Sequence, residues 1–156
     1  MTDRKFEFEH VTTDAIVESY KASVPIFHSL LVEVKLLSKK KPEATMSAGK
    51  VKIINGVLGD LYAFLKSEPT GKYLALLDDK TLPQMSDAVL AMVQFETAIK
   101  AFTSRYHKKV EYNYYWITEE RLKAWDEAES DDDSDENDDD SDEDEDADDH
   151  DEDEDE

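Results

Sequence analysis

Apolar residues recur every three or four positions in three long stretches of this chain, and in two shorter stretches they alternate. The first stripe is Ile16, Tyr20, Val24, Phe27, Leu31 and Val34. It predicts a helix opening near Thr12, Thr13 or Asp14, whose side-chain oxygens can accept from the free N–H groups of a first turn. Pro25 interrupts it by removing one donor and crowding the carbonyl four residues back. The expectation is a kink or two helices, with Ser23 capping the second. Lys39, Lys40 and Lys41 then stand where a helix C-terminus favours cations, and Pro42 closes the segment.

The second stripe, Val51, Ile54, Leu58, Leu61 and Leu65, competes with a hairpin signal, Asn55-Gly56 between β-branched residues. Strand alternation fails at Ile53-Ile54 and again at Val57-Leu58, so residues 47–67 read as helix. Gly56 and Gly59 would then allow a close helix crossing, at a propensity cost of roughly 1 kcal/mol each. Residues 68–71 form a loop, and residues 73–77 read as a short buried helix ending near Asp78. Thr81 or Ser86 is expected to cap the third long helix, which places Ala88, Met92, Phe95, Ile99, Phe102 and Tyr106 on one face.

The two alternating stretches lie at either end of this helical run. Residues 5–11 put Phe6, Phe8 and His10 on one face, while Val110, Tyr112, Tyr114 and Trp116 alternate with Glu111, Asn113, Tyr115 and Ile117. They are expected to pair, and Thr118 to cap a last short helix through Leu122 and Trp125. The predicted fold class is mainly α. A single helical domain of about four helices occupies residues 1–125, its ends joined by a two-stranded antiparallel ribbon, and a disordered polyacidic tail occupies 126–156.

Charge is what separates the tail from the domain. Residues 126–156 contain 24 of the 40 acids, no Lys or Arg, and only two alanines as apolar residues. Residues 1–125 hold the other 16 acids against all 18 bases, so the formal charge of −22 belongs to the tail and the domain is near neutral. Repulsion and the lack of apolar side chains predict an extended, disordered segment. Fully extended at about 3.3 Å per residue, its dense part from Asp131 onward would reach some 80 Å. Its charge spacing approaches the roughly 3.4 Å per charge of one nucleic-acid strand. Neighbouring charges lie within the Debye length of about 8 Å, so they act together. To a basic surface the tail resembles a strand of nucleic acid.

Candidate chemistry adds little. There are no cysteines, which excludes disulfides and thiol catalysis and fits a reducing compartment. His10, His28, His107 and His150 show no ligand spacing, and His28 reads as a packed, hydrogen-bonded residue of the first helix. The glycines at 49, 56, 59 and 71 form neither a phosphate loop nor a dinucleotide fingerprint. Asp131, Asp133 and Asp135 start like a calcium loop, but the turn glycine is missing. No cofactor and no defined metal site is expected. No segment is apolar enough to span a bilayer and the first residues lack a secretory signal, so the expectation is a soluble intracellular protein, cytoplasmic or nuclear if eukaryotic.

The sequence therefore points to binding. The expected function is a non-enzymatic module whose tail engages basic, nucleic-acid-binding proteins by charge competition, as escort, inhibitor or regulator. The acids assigned to partner binding are Asp131, Asp132, Asp133, Asp138, Asp139, Asp140, Glu143, Asp144, Glu145 and Asp146. The aromatic contacts assigned with them are Tyr112, Tyr114 and Trp116. A lysine concentration, Lys35, Lys39, Lys40, Lys41, Lys50 and Lys52, is a candidate phosphate site or a landing place for the tail. It supports an alternative, a nucleic-acid-binding domain autoinhibited by its own tail. A second alternative is an enzyme subunit with a solubilising tail. Ser130, Ser134 and Ser141, set among acids, are candidate phosphorylation sites that would deepen the charge.

Overall fold

The computed structural model describes residues 7–132. All three long stripes are helices: α1 (Asp14–Lys40), α2 (Ala48–Leu65) and α3 (Met85–Tyr106). Side-chain caps set the start of two of them. Thr13 Oγ1 accepts from the Ile16 amide and Ser47 Oγ from the Lys50 amide, each at 3.3 Å. The expectation at Pro25 is a kink or two helices; α1 continues through it as one helix. Pro25 lies on the exposed side, where a carbonyl deprived of its helical donor meets water. Ser23 is buried and caps nothing, its hydroxyl donating to the Ser19 carbonyl at 2.6 Å.

The helices form a three-helix bundle in which α1 is antiparallel to α3. At one end the Tyr20 and Thr103 hydroxyls are 2.8 Å apart. At the other, the Met46 amide donates to Pro83 O at 2.8 Å and the Met85 amide to Ala44 O at 2.9 Å. Between the ends Phe27 and Leu31 of α1, Leu58, Leu61 and Leu65 of α2, and Met92, Phe95 and Phe102 of α3 are almost wholly buried. Each such side chain contributes about 1.5–3 kcal/mol of burial. Gly56 and Gly59 make no close crossing, since a Cβ at either would meet nothing within 4 Å.

The α2–α3 connection departs from the expected pattern. After turns at residues 66–70, Gly71–Tyr73 forms a short 3₁₀ segment, and the residues after it are non-helical, with Leu74 and Leu77 buried. Asn55 of α2 holds this stretch in place of a helix: its side chain donates to Leu77 O at 2.8 Å and accepts from the Leu77 amide at 2.9 Å. The N-cap of α3 is Gln84, which makes no side-chain bond, so neither Thr81 nor Ser86 caps it. The first amides of α3 are satisfied from the loop after α1, Met85 N by Ala44 O and Ser86 N by Pro42 O.

The two-stranded ribbon is present, but it is a local hairpin. Strands β1 (His107–Val110) and β2 (Asn113–Trp116) pair antiparallel, with His107 opposite Trp116 and Val110 opposite Asn113. Phe6 lies outside the described residues, and residues 7–11 form no strand. A two-residue turn costs far less closure entropy than recruiting a strand from the far end of the chain. The ends of the domain still meet, through Thr12. Its amide donates to Ile117 O and its carbonyl accepts from the Glu119 amide, each at 2.9 Å. Thr118 caps the last helix, α4 (Glu119–Asp132), by accepting from the Arg121 amide at 3.1 Å. Helix α4 continues through Asp126–Asp132, seven residues that the sequence assigns to the disordered tail. The rest of that segment, 133–156, lies outside the described residues.

Candidate partner-binding surface

The hairpin and α4 together carry the exposed aromatic residues that adjoin the acidic segment. The turn at Glu111 and Tyr112 divides their rings between two faces. On one face His107, Lys109, Tyr114 and Trp116 project together; on the other are Lys108, Val110, Asn113 and Tyr115. The first face turns inward at its base. Trp116 is half-buried and packs on Tyr20, with ring centroids 4.8 Å apart, and on His107 at 4.8 Å. Tyr114 stacks over His107 at 5.6 Å and remains 63% exposed.

The second face meets α4. Arg121, Trp125, Ala128 and Glu129 follow the spacing of one helix stripe, and Tyr115 sits against it. The Tyr115 and Trp125 rings are perpendicular, with centroids 5.4 Å apart. The Arg121 guanidinium lies 5.0 Å from the Tyr115 centroid and 5.9 Å from that of Trp125. Its Nε donates to Trp116 O at 3.1 Å, which fixes the helix on the hairpin. Beside this stack an open groove of about 280 Å³ runs between hairpin tip and helix, lined by Tyr112, Tyr115, Trp125, Ala128, Glu111 and Glu129 among others.

The groove's rim is strained. Glu111 has φ 57°, the left-handed region where two-residue hairpin turns usually carry Gly, Asn or Asp. Beside it Tyr112 is 92% exposed. Helix α4 also ends against its own dipole. Glu127, Glu129, Asp131 and Asp132 crowd a C-terminus that prefers cations, and its last turn has no basic residue.

A polar cluster at the same end of the bundle ties α2's exit to α3. Tyr106 donates to Glu68 Oε1 at 2.7 Å, and Arg105 donates to Glu68 Oε2 at 3.3 Å and to His10 Nδ1 at 2.9 Å. Burial, reinforced by the Glu68 carboxylate, pushes the Tyr106 phenol up to about 12. These groups largely satisfy one another and read as structural. His28, expected to be packed and hydrogen-bonded, is exposed on α1 and makes an edge contact with Phe27.

The candidate residues do not form one site. Lys35, Lys39 and Lys40 lie at the end of α1, Lys41 is its C-cap, and Lys50 and Lys52 lie at the start of α2. All six are exposed, and none forms an ion pair among the described residues. They occupy the end of the bundle opposite the hairpin: Trp116 packs on Tyr20, and the α1 lysines lie about 22–30 Å of helix farther along. Asp131 and Asp132 lie in the last turn of α4. Asp133, Asp138, Asp139, Asp140, Glu143, Asp144, Glu145 and Asp146 fall outside the described residues. Glu111 and Tyr115 are not picked out by an alternating pattern that makes 110–117 one strand, and Trp125 and Glu129 are not picked out because the helix expected there stops at Trp125, whereas α4 runs on to Asp132. A reversal at 111–112 puts Val110 on the face of Tyr115, not of Tyr114.

Among the described residues no three His, Asp or Glu side chains converge to hold a metal ion, and no helix is long and apolar enough to cross a membrane. No family model matches the chain, and neither a curated protein nor a solved structure matches it.

Proposed function

We propose that this protein is a non-enzymatic binding module that engages basic, nucleic-acid-binding proteins by competing with nucleic acid for their cationic surfaces. One observation carries the reading: 24 acids with no base among the last 31 residues, beginning on α4 beside an exposed aromatic hairpin. A segment with that charge density gives strength, reach and salt sensitivity but little selectivity. The hairpin and α4 lie where the first tail charges emerge, so they are the surface best placed to add selectivity. Escort, inhibition and regulation are three outcomes of the same competition.

The exposed lysines favour a second reading, in which the bundle binds nucleic acid and the tail competes for that site. The two are separated by shortening the chain after Asp132, which keeps every residue of the core and all of α4. Binding to duplex DNA, to RNA and to a basic DNA-binding protein is then measured for both forms over a salt series. The first reading expects the shortened chain to lose most affinity for the basic protein and to gain none for nucleic acid. Nucleic-acid binding that appears only after shortening establishes the second reading in its place.

A further inference from the structure

We propose that the groove between the hairpin tip and α4 receives an arginine side chain from the basic partner, so that it selects arginine-bearing segments over lysine-bearing ones. The inference rests on the proposed function and adds to it a side-chain preference and a docking point. Three observations carry it. The groove walls include three aromatic residues, Tyr112, Tyr115 and Trp125, and ring faces attract a planar guanidinium by cation–π and stacking contacts. The protein already makes this contact once, with its own Arg121 on Tyr115 and Trp125 at 5.0 and 5.9 Å. The groove also carries two carboxylates, Glu111 at the hairpin tip and Glu129 on the helix, that suit the guanidinium's fork of donors.

Glu111 is the telling residue. Its φ of 57° would be unstrained for glycine, yet a glutamate stands there and no hydrogen bond or ion pair of its side chain is found among the described residues. Strain held at an exposed carboxylate points to a use for that carboxylate. Charge complementarity settles the class of occupant. The groove opens beside Glu127, Asp131 and Asp132, where the polyacidic segment begins. A basic chain drawn in by that segment is thereby delivered to the groove, and an acidic or neutral one is not.

The test titrates the full chain with two peptides, octa-arginine and octa-lysine, following the two tryptophan indole N–H signals by NMR and affinity by calorimetry. Arginine binds carboxylates better than lysine in any polyanion, so the decisive quantity is the change in the arginine-to-lysine affinity ratio on mutation. In the wild-type chain octa-arginine should shift the Trp125 indole more than that of Trp116. Tyr112→Ala, at a residue whose exposure makes misfolding no concern, should lower octa-arginine affinity about five- to tenfold and leave octa-lysine within twofold. Glu111→Gln should act in the same direction. A full-length variant with the acids of 133–156 changed to Asn and Gln should bind both peptides more weakly but keep the ratio. If both substitutions leave the ratio unchanged, or the ratio vanishes with the neutralised tail, the groove is not an arginine site, while the tail-based function stands. If neither peptide binds the wild-type chain at low salt, the proposed function fails and this inference with it.

Discussion

Replacing Glu111 with glycine should stabilise this protein and weaken its binding. Left-handed backbone costs a residue with a Cβ about 1–2 kcal/mol, because Cβ crowds the following carbonyl oxygen. Glycine escapes that cost but gives back roughly 0.5–1 kcal/mol through the freedom it gains in the unfolded chain. The Glu111 side chain is exposed at a hairpin tip, so its removal opens no cavity. The net expectation for Glu111→Gly is a gain of about 0.5–1 kcal/mol, which for a domain of this size is a rise of about 2–4 °C in Tm. Urea unfolding followed by far-UV circular dichroism, with tryptophan fluorescence as a second probe, measures it. Glu111→Gln keeps the strain and removes the charge, so its midpoint should match wild type while its octa-arginine affinity falls as in Glu111→Gly. A destabilised Glu111→Gly would mean that φ at this position is not strained, and the argument for a retained carboxylate would collapse with it.

Other predictions concern the scaffold. Asn55→Ala leaves the Leu77 amide and carbonyl without partners and should cost about 2–3 kcal/mol in urea unfolding, whereas Asn55→Asp, which keeps the acceptor, should cost less. Gly71→Ala drives a Cβ into the carbonyl oxygens of Lys66 and Leu65, backbone atoms that cannot swing aside, and should cost about 2–3 kcal/mol or more. Gly56→Ala, on an open helix face, should instead gain up to about 1 kcal/mol. The Tyr106 phenol titrates near 12 when folded and near 10 when unfolded. Its contribution of about 2–3 kcal/mol is thus complete below about pH 10 and lost as pH rises through about 12. Midpoints measured from pH 9 to 12 should fall more steeply for wild type than for Tyr106→Phe.

What the sequence made legible follows from the range of the forces involved. The helix stripes were readable because burial repeats along each of them, and Ile54, Leu58 and Leu61 outweighed Asn55-Gly56 for that reason. Asn55 proved to be a tertiary clamp whose partner, Leu77, lies 22 residues on, beyond the reach of any local pattern. The same limit hid the start of α3, which is set by carbonyls of Pro42 and Ala44 in place of a side-chain cap. Pro25 marks a local penalty of roughly 3 kcal/mol, but the burial of Val24, Phe27 and Leu31 around it exceeds that and one helix forms. The hairpin was missed because its turn has no glycine. The antiparallel pairing of His107–Val110 with Asn113–Trp116 establishes it, and that reversal brings Tyr115 against Trp125 in the candidate surface.

The most direct test of the central claim is displacement. A fluorescently labelled DNA duplex is bound to a basic DNA-binding protein at physiological salt, and its anisotropy is followed as the full chain is added. The account predicts that the wild-type chain releases the duplex. It also predicts that the variant with the acids of 133–156 neutralised needs at least tenfold more protein to do so, and that the midpoint for wild type rises as salt is raised. Equal release by both chains, or none by either, would contradict it.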